Sequence, residues 1–324
     1  MAFYRFDPAM ALCLESVLDE LDAKGRPGLR NSLGLTWIRY SDANPDAGDG
    51  LGVSWNHQKP IYPASVVKLF YAVAAEQWLQ RDLIPDSDEL ERALREMIAD
   101  SSNDATGLVL DLLTGTTSGP MLHGEHWLMW QRQRHLVNEW LETLVWPELE
   151  LVNCCQKTWG DGPFGREKAF YGHDNANRNA LTTAGTARML EAVMTGSVVS
   201  PPACRRLRAL LQRSLDPDQR RADPEHQVEG VWGEGLPEGV TLWRKPGWIG
   251  QARPEAAWGQ GAAHTPMSAA AMRTAAATVG DGYGGGDGGG DGGGSLDIAR
   301  HDPSALSKRE CTPPRGRCRG RGML

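Results

Sequence analysis

Apolar positions along the first 260 residues recur at two different spacings, and the switch between them divides the chain. Met10, Leu14, Val17, Leu18 and Leu21 fall on one helical face, with Asp7 placed to cap, Pro8 at the first position and Gly25 to stop the helix. Such a helix needs a partner surface. GLTWIRY (34–40) and LGVSW (51–55) then read as two strands of a hairpin joined through the turn-rich DANPDAGDG. From Pro63 to about residue 235 the spacing is helical. SVVKLFYAVAAEQWL comes first; Asp86 with Glu89 reads as a capping box for DELERALREMIAD; and one long pattern runs from Trp127 to Trp146, ending at Pro147. Thr182 or Thr183 opens TTAGTARMLEAVM, which Gly196 closes, and CRRLRALLQRSL is the last helix. Strand character returns in VTLWRKPGWIG (240–250) and EAAWGQ (255–260). This order predicts an α/β (α+β) sandwich. Its antiparallel sheet is built from both ends of the segment (1–62 and 236–260), with a large all-helical part (63–235) inserted between them.

Composition changes the picture at the C-terminal end. All 12 Trp lie at or before Trp258, 11 of the 38 Gly fall between Gly280 and Gly294, and after residue 260 the only Val or Ile are Val279 and Ile298. Residues 261–324 are therefore expected to be a disordered Gly/Asp/Arg-rich tail that cannot form a core. The net charge of −7 argues against a general nucleic-acid binder, and four Arg after Pro314 are too few to reverse that. Six irregularly spaced Cys give neither a disulfide framework nor a zinc pattern, and the adjacent Cys154 and Cys155 read as packing residues. His57, His123, His126, His135 and His173 lack metal-ligand spacing, so no metal or other cofactor is expected. No window approaches the ~18 apolar residues of a membrane span, and the N-terminus has no cationic start followed by an apolar run. A soluble, monomeric, cytoplasmic protein is the expectation.

Chemistry enters at Ser65 and Lys68, three apart at the start of an apolar helix. Both side chains share a face one turn apart, so the amine reaches the hydroxyl, and the helix N-terminus favours negative charge developing there. A lone Ser-x-x-Lys is weak, but two further elements follow in order. Ser101-Ser102-Asn103 lies at the C-terminal end of a predicted helix, and Lys245-Pro246-Gly247 lies in a predicted strand. With these three motifs the chain resembles the class A β-lactamases and the wider penicillin-binding serine hydrolases, over most of residues 10–260. MIADSSNDAT is similar to the family's helix–loop–helix around Ser-x-Asn, and NRNALTTAGTARML to the segment leaving its Ω-loop.

The resemblance implies roles. Ser65 would be acylated by a small-molecule β-lactam, or by a related amide or ester, with Lys68 as base or proton relay. Ser101 would pass the proton to the leaving nitrogen, and Asn103 would hold Lys68 and the substrate amide. Lys245 would attract a substrate carboxylate, and the N–H groups of Ser65 and Trp248, the residue after Gly247, would form the oxyanion hole. The bland readings are that Ser101 and Asn103 cap a helix end and that Lys245 is a solvated strand residue. Pro246 departs from the family's Thr or Ser, which removes a hydroxyl and a backbone N–H and suits only an edge strand. The nearest candidate for the deacylating carboxylate is Glu167 in PFGREKAFYGHDN, without the family's neighbouring Leu and Asn. The family also continues past Lys-x-Gly with a central strand and a C-terminal helix, whereas here the apolar pattern stops, as in an out-of-frame reading of a GC-rich gene. The sheet is therefore expected to be incomplete. Two functions stand: a serine hydrolase, or a non-catalytic or defective penicillin-binding-like protein. By family resemblance a periplasmic location is the alternative to the cytoplasm.

Overall fold

After a two-residue strand β1 (Arg5–Phe6), Asp7 accepts hydrogen bonds from the N–H groups of Ala9 and Met10 and opens α1 (Pro8–Ala23). The computed structural model describes residues 3–26, 28–222, 236, 239–248, 254–261 and 264–273. The partner surface of α1 is the hairpin that follows. Met10, Leu14 and Leu18 pack on Leu35 and Val53, burying side chains worth about 1.5–3 kcal/mol each. A single-turn helix α2 (Leu29–Ser32) leads into that hairpin, β2 (Leu33–Arg39) and β3 (Leu51–Trp55), which pairs antiparallel.

Next come α3 (Val67–Gln80), α4 (Asp88–Ile98), α5 (Asn103–Thr114), α6 (Gly124–Arg134), α7 (Leu136–Thr143), α8 (Gly165–Tyr171), α9 (Thr183–Thr195) and α10 (Pro201–Leu211). Helix α3 is buried on nearly every side, as an all-round apolar helix must be. It lies at the centre of a core shared with α4, α5, α7, α9 and α10. Thr182 caps α9 through Gly185 N–H, and Gly196 ends it in the left-handed region. Two local expectations are corrected. The cap of α4 is Ser87, whose hydroxyl accepts from Leu90 N–H, and not Asp86. The long pattern from Trp127 to Trp146 is two helices, α6 and α7, separated at His135.

The chain then re-enters the sheet through β4 (Gln212–Arg213), α11 (Pro217–Ala222), β5 (Val240–Pro246) and β6 (Glu255–Gly261). It does not stop there. A further strand β7 (His264–Arg273) pairs antiparallel with β6 on one side and β2 on the other. Among the described residues the sheet is seven-stranded, in the order β1-β3-β2-β7-β6-β5-β4. This corrects the expectation of a sheet lacking its central strand and of a tail beginning at residue 261. A strand in mid-sheet is held by backbone ladders on both edges, so HTPMSAAAMR needs little Val or Ile to be recruited. Helix α9 packs on β2, β6 and β7, and α1 on the hairpin. The Gly/Asp run, Cys311 and Cys318 lie outside the described residues.

Candidate active site

Three backbone elements converge. Ser65 stands on the one-turn 3-10 helix Ala64–Val66 that runs straight into α3, so its place is fixed by a helix buried on nearly every side. Ala64, just before it, is held at φ +46, in the left-handed region that a side chain rarely adopts. The end of β5 lies against this turn. A Cβ built on Gly247 would come within 2.9 Å of both Pro63 O and Ser65 N, and 3.1 Å of Ala64 Cβ. Glycine is thus required at 247 by close approach of the strand to the backbone amide of Ser65. Gly247 N–H is in turn bonded to Pro254 O at 2.8 Å. Pro246 pairs with Glu255 in the β5–β6 ladder, while β4 pairs with β5 only at Leu242 and Trp243. Residue 246 therefore lies where β5 has no described strand on its other side, and the ring is tolerated.

The second element is the turn between α4 and α5. Ser101 has φ +58, and its carbonyl accepts a hydrogen bond from Lys68 Nζ. Lys68 Nζ also donates to Asn103 Oδ1 at 2.9 Å and to Ser101 Oγ at 3.3 Å. From the opposite side Lys245 Nζ donates to the same Ser101 Oγ at 2.8 Å, and to Pro246 O at 3.1 Å. One hydroxyl thus bridges two amines. With its two acceptor positions occupied, its own O–H is left to point elsewhere. The cap of α5 is Ser102, bonded to Ala105 N–H, and neither Ser101 nor Asn103. Lys245 is fully buried, unlike a solvated strand residue.

Burial sets the electrostatics. Lys68 is fully buried, and loss of solvation brings its ammonium down to about 7. Lys245 is held well below the ordinary lysine value, first by burial and then by the nearby positive charges of Lys68, Arg213 and Arg244. Arg213 carried no signal in the sequence. Its guanidinium donates to Ile98 O at 2.7 Å and to Leu210 O and Gln212 O at 2.8 Å. It thereby ties the end of α4, and the Ser101 turn after it, to β4 beside β5.

Glu167 is placed differently. It lies in the first turn of α8, fully buried, and pairs with Arg134 Nη2 while accepting from Ser118 Oγ at 2.8 Å. Lys157 Nζ is 4.0 Å from it, and bonds Ser118 Oγ at 2.8 Å and Asp111 Oδ2 at 2.6 Å. Arg134 also reaches Asp111 Oδ1 at 3.4 Å and lies over Trp130, its centre 5.0 Å from the ring. These groups form a closed ionic cluster joining α5, α6 and α8. Sequence spacing gave no hint of it, because its members are brought together only by packing. Cys154 and Cys155 are buried free thiols, and burial pushes Cys155 up to about 12. Trp248 is 40% exposed at the mouth of the β5 end. Among the described residues, one cavity of about 1000 Å³ lies between α3, α4 and α10 and another of about 390 Å³ beside His57 and Glu148; Ser65 lines neither of these two. Among the described residues no group of three or more His, Cys, Asp or Glu is placed to hold a metal ion, and no helix is long and apolar enough to cross a membrane.

Residues 85–283, well over half of the chain, match the sequence model of the "Beta-lactamase enzyme family". Solved structures with the same fold include a β-lactamase from Sphaerobacter thermophilus, 17% identical, with a TM-score of 0.51 over 79% of this chain and 88% of that one. A β-lactamase from Burkholderia vietnamiensis is 15% identical, with a TM-score of 0.51 over 81% and 87%. A variant of the reconstructed last common ancestor of the class A β-lactamases of Gram-negative bacteria is 18% identical, with a TM-score of 0.50 over 82% and 89%. No curated protein sequence matches the chain.

Proposed function

The chain belongs to the β-lactamase enzyme family, and from that premise we propose that it is a serine hydrolase in which Ser65 takes up the acyl group of a β-lactam or related amide or ester. The observation that carries this reading is the bridge of Ser101 Oγ between two buried lysines beside the helix that starts at Ser65. Lys68, brought down to about 7, is substantially a free amine at neutral pH and can serve as a base. It takes the proton of Ser65 Oγ as the oxygen attacks the carbonyl carbon. The C–N bond then breaks, and Ser101 O–H gives its proton to the departing nitrogen and is reprotonated from the lysines that flank it. The N–H groups of Ser65 and Trp248 serve as the oxyanion hole, a role that the close approach of Gly247 to Ser65 N supports. Asn103 fixes the amine of Lys68 and binds the substrate amide, and Lys245 supplies positive potential for a substrate carboxylate.

Pro246 favours a second reading, that of a chain which recognises β-lactams poorly or not at all, because it offers no hydroxyl to the carboxylate. A fluorescent penicillin and nitrocefin separate the two. Labelling of the wild-type chain that is abolished in Ser65→Ala supports the acyl-transfer reading. Absence of label and of turnover in a folded wild-type chain supports the defective one.

A further inference from the structure

We propose that the acyl-enzyme of this protein is long-lived: β-lactams open on Ser65 and stay there, because Glu167 is committed to the ionic cluster and does not activate water. This rests on the reading of Ser65 as the acylated residue. Three observations carry it. Glu167 is fully buried and both of its oxygens are engaged, Oε2 with Arg134 and Oε1 with Ser118. Two cations, Arg134 and Lys157, and the carboxylate of Asp111 complete the cluster, so the charge of Glu167 is balanced within it. On the other side, the partners of Lys68 are the carbonyl and hydroxyl of Ser101 and the amide oxygen of Asn103. Among the described residues no carboxylate pairs with Lys68, and burial alone lowers it.

Acylation needs a base for one proton, and Lys68 provides it. In the acylation step the Ser65 O–H bond and the lactam C–N bond break, a Ser65 O–C bond forms, and the proton ends on the ring nitrogen, which stays attached to the acyl group. Nothing leaves. Deacylation needs water to attack the ester carbon, losing a proton as the O–C bond breaks and Ser65 Oγ is reprotonated. A general base for that water contributes typically 10²–10⁴-fold. A carboxylate locked by an arginine and a serine hydroxyl cannot turn to accept the water proton without breaking a buried ion pair. Glu167 is on this account a positioning residue that joins α8 to α5 and α6.

The test is intact-mass spectrometry of the full chain treated with benzylpenicillin, followed by rapid removal of free drug. The expected result is a single adduct weighing one whole β-lactam on Ser65 that persists after desalting. Steady-state nitrocefin turnover should lie at least about 100-fold below the ~10 s⁻¹ typical of enzymes. In Glu167→Gln the decay rate of the adduct should stay within about twofold of wild type while the melting temperature falls. Should that variant fail to fold, Ser118→Ala probes the same carboxylate with the ion pair kept, and its adduct should decay at the wild-type rate. Turnover at ordinary enzymatic rates, or an adduct whose decay slows at least about tenfold in either variant with acylation unchanged, overturns the proposal. Failure of the wild-type chain to form any adduct instead overturns the assignment of Ser65 as the acylated residue, and the two failures are distinct.

Discussion

At the scale of single residues, the site depends on what burial does to lysine and on what a strand end does to a glycine. If Lys68 is the proposed base, it must be neutral to act, and since burial brings it down to about 7 the acylation rate should rise with pH through about 7 and level off above it. Stopped-flow acylation from pH 5.5 to 9 checks this, and a flat profile would remove Lys68 from the role. Lys68→Arg keeps the charge but stays protonated at every accessible pH, so acylation should fall at least about 100-fold. Gly247→Ala places a methyl 2.9 Å from Pro63 O and Ser65 N, both backbone atoms with no rotamer to escape by. The turn or the strand end must shift, and loss of one oxyanion donor is worth about 10²–10³-fold. A drop of about 100-fold in acylation, with an unchanged circular dichroism spectrum, is the expected outcome. The three motifs and their order were legible because Ser-x-x-Lys, Ser-x-Asn and Lys-x-Gly are short, local and borne on predictable elements. Arg213 and the cluster around Glu167 were not, since nothing in the sequence places Arg134, Lys157 and Asp111 side by side.

At the scale of elements, α1 and the ionic cluster make opposite contributions to legibility. Helix α1 was readable down to its Asp7 cap, and its buried stripe predicts its energetics. Leu14→Ala leaves a hole against Leu35 and Val53 and should cost about 2–5 kcal/mol in chemical denaturation, with acylation little changed in the folded fraction. The cluster behaves as a buried ion pair. Arg134→Ala leaves Glu167 and Asp111 without a fully buried cation, and removal of one partner of such a pair costs about 3–5 kcal/mol. A loss of less than about 1 kcal/mol would show that the cluster does not hold α5, α6 and α8 together. Capping residues were legible to within one position, Ser87 standing where Asp86 was expected, because either residue type can accept from the first turn. The break between α6 and α7 was not legible, since His135 carries no strong helix-stop signal.

At the scale of the whole molecule, the sheet is the joint between the two halves of the site. Strand β7 lies between β2 and β6, so it joins the hairpin that follows α1 to the strands that carry Lys245. Removing it would expose two backbone edges at once and release Lys245 from its distance to Ser101. A chain ending at Gly261 should therefore lose cooperative thermal unfolding and all labelling of Ser65; cooperative unfolding with retained labelling would show that β7 is dispensable. Composition after residue 260, poor in Val and Ile, argued for no strand there. It was misleading because a central strand is specified by two neighbouring ladders as much as by its own side chains. The sequence by itself determined the alternation of strand and helical regions up to β6, the sandwich class and the order of the three short motifs, since each follows from spacings within about a dozen positions. Tertiary structure alone decided that the sheet is completed by β7, that Ser101 stands between two lysines and that Glu167 is held by Arg134. The pairing of β7 with β2 and the contacts of Ser101 and Glu167 join residues 33 to 240 positions apart, and only the packed core fixes such distances.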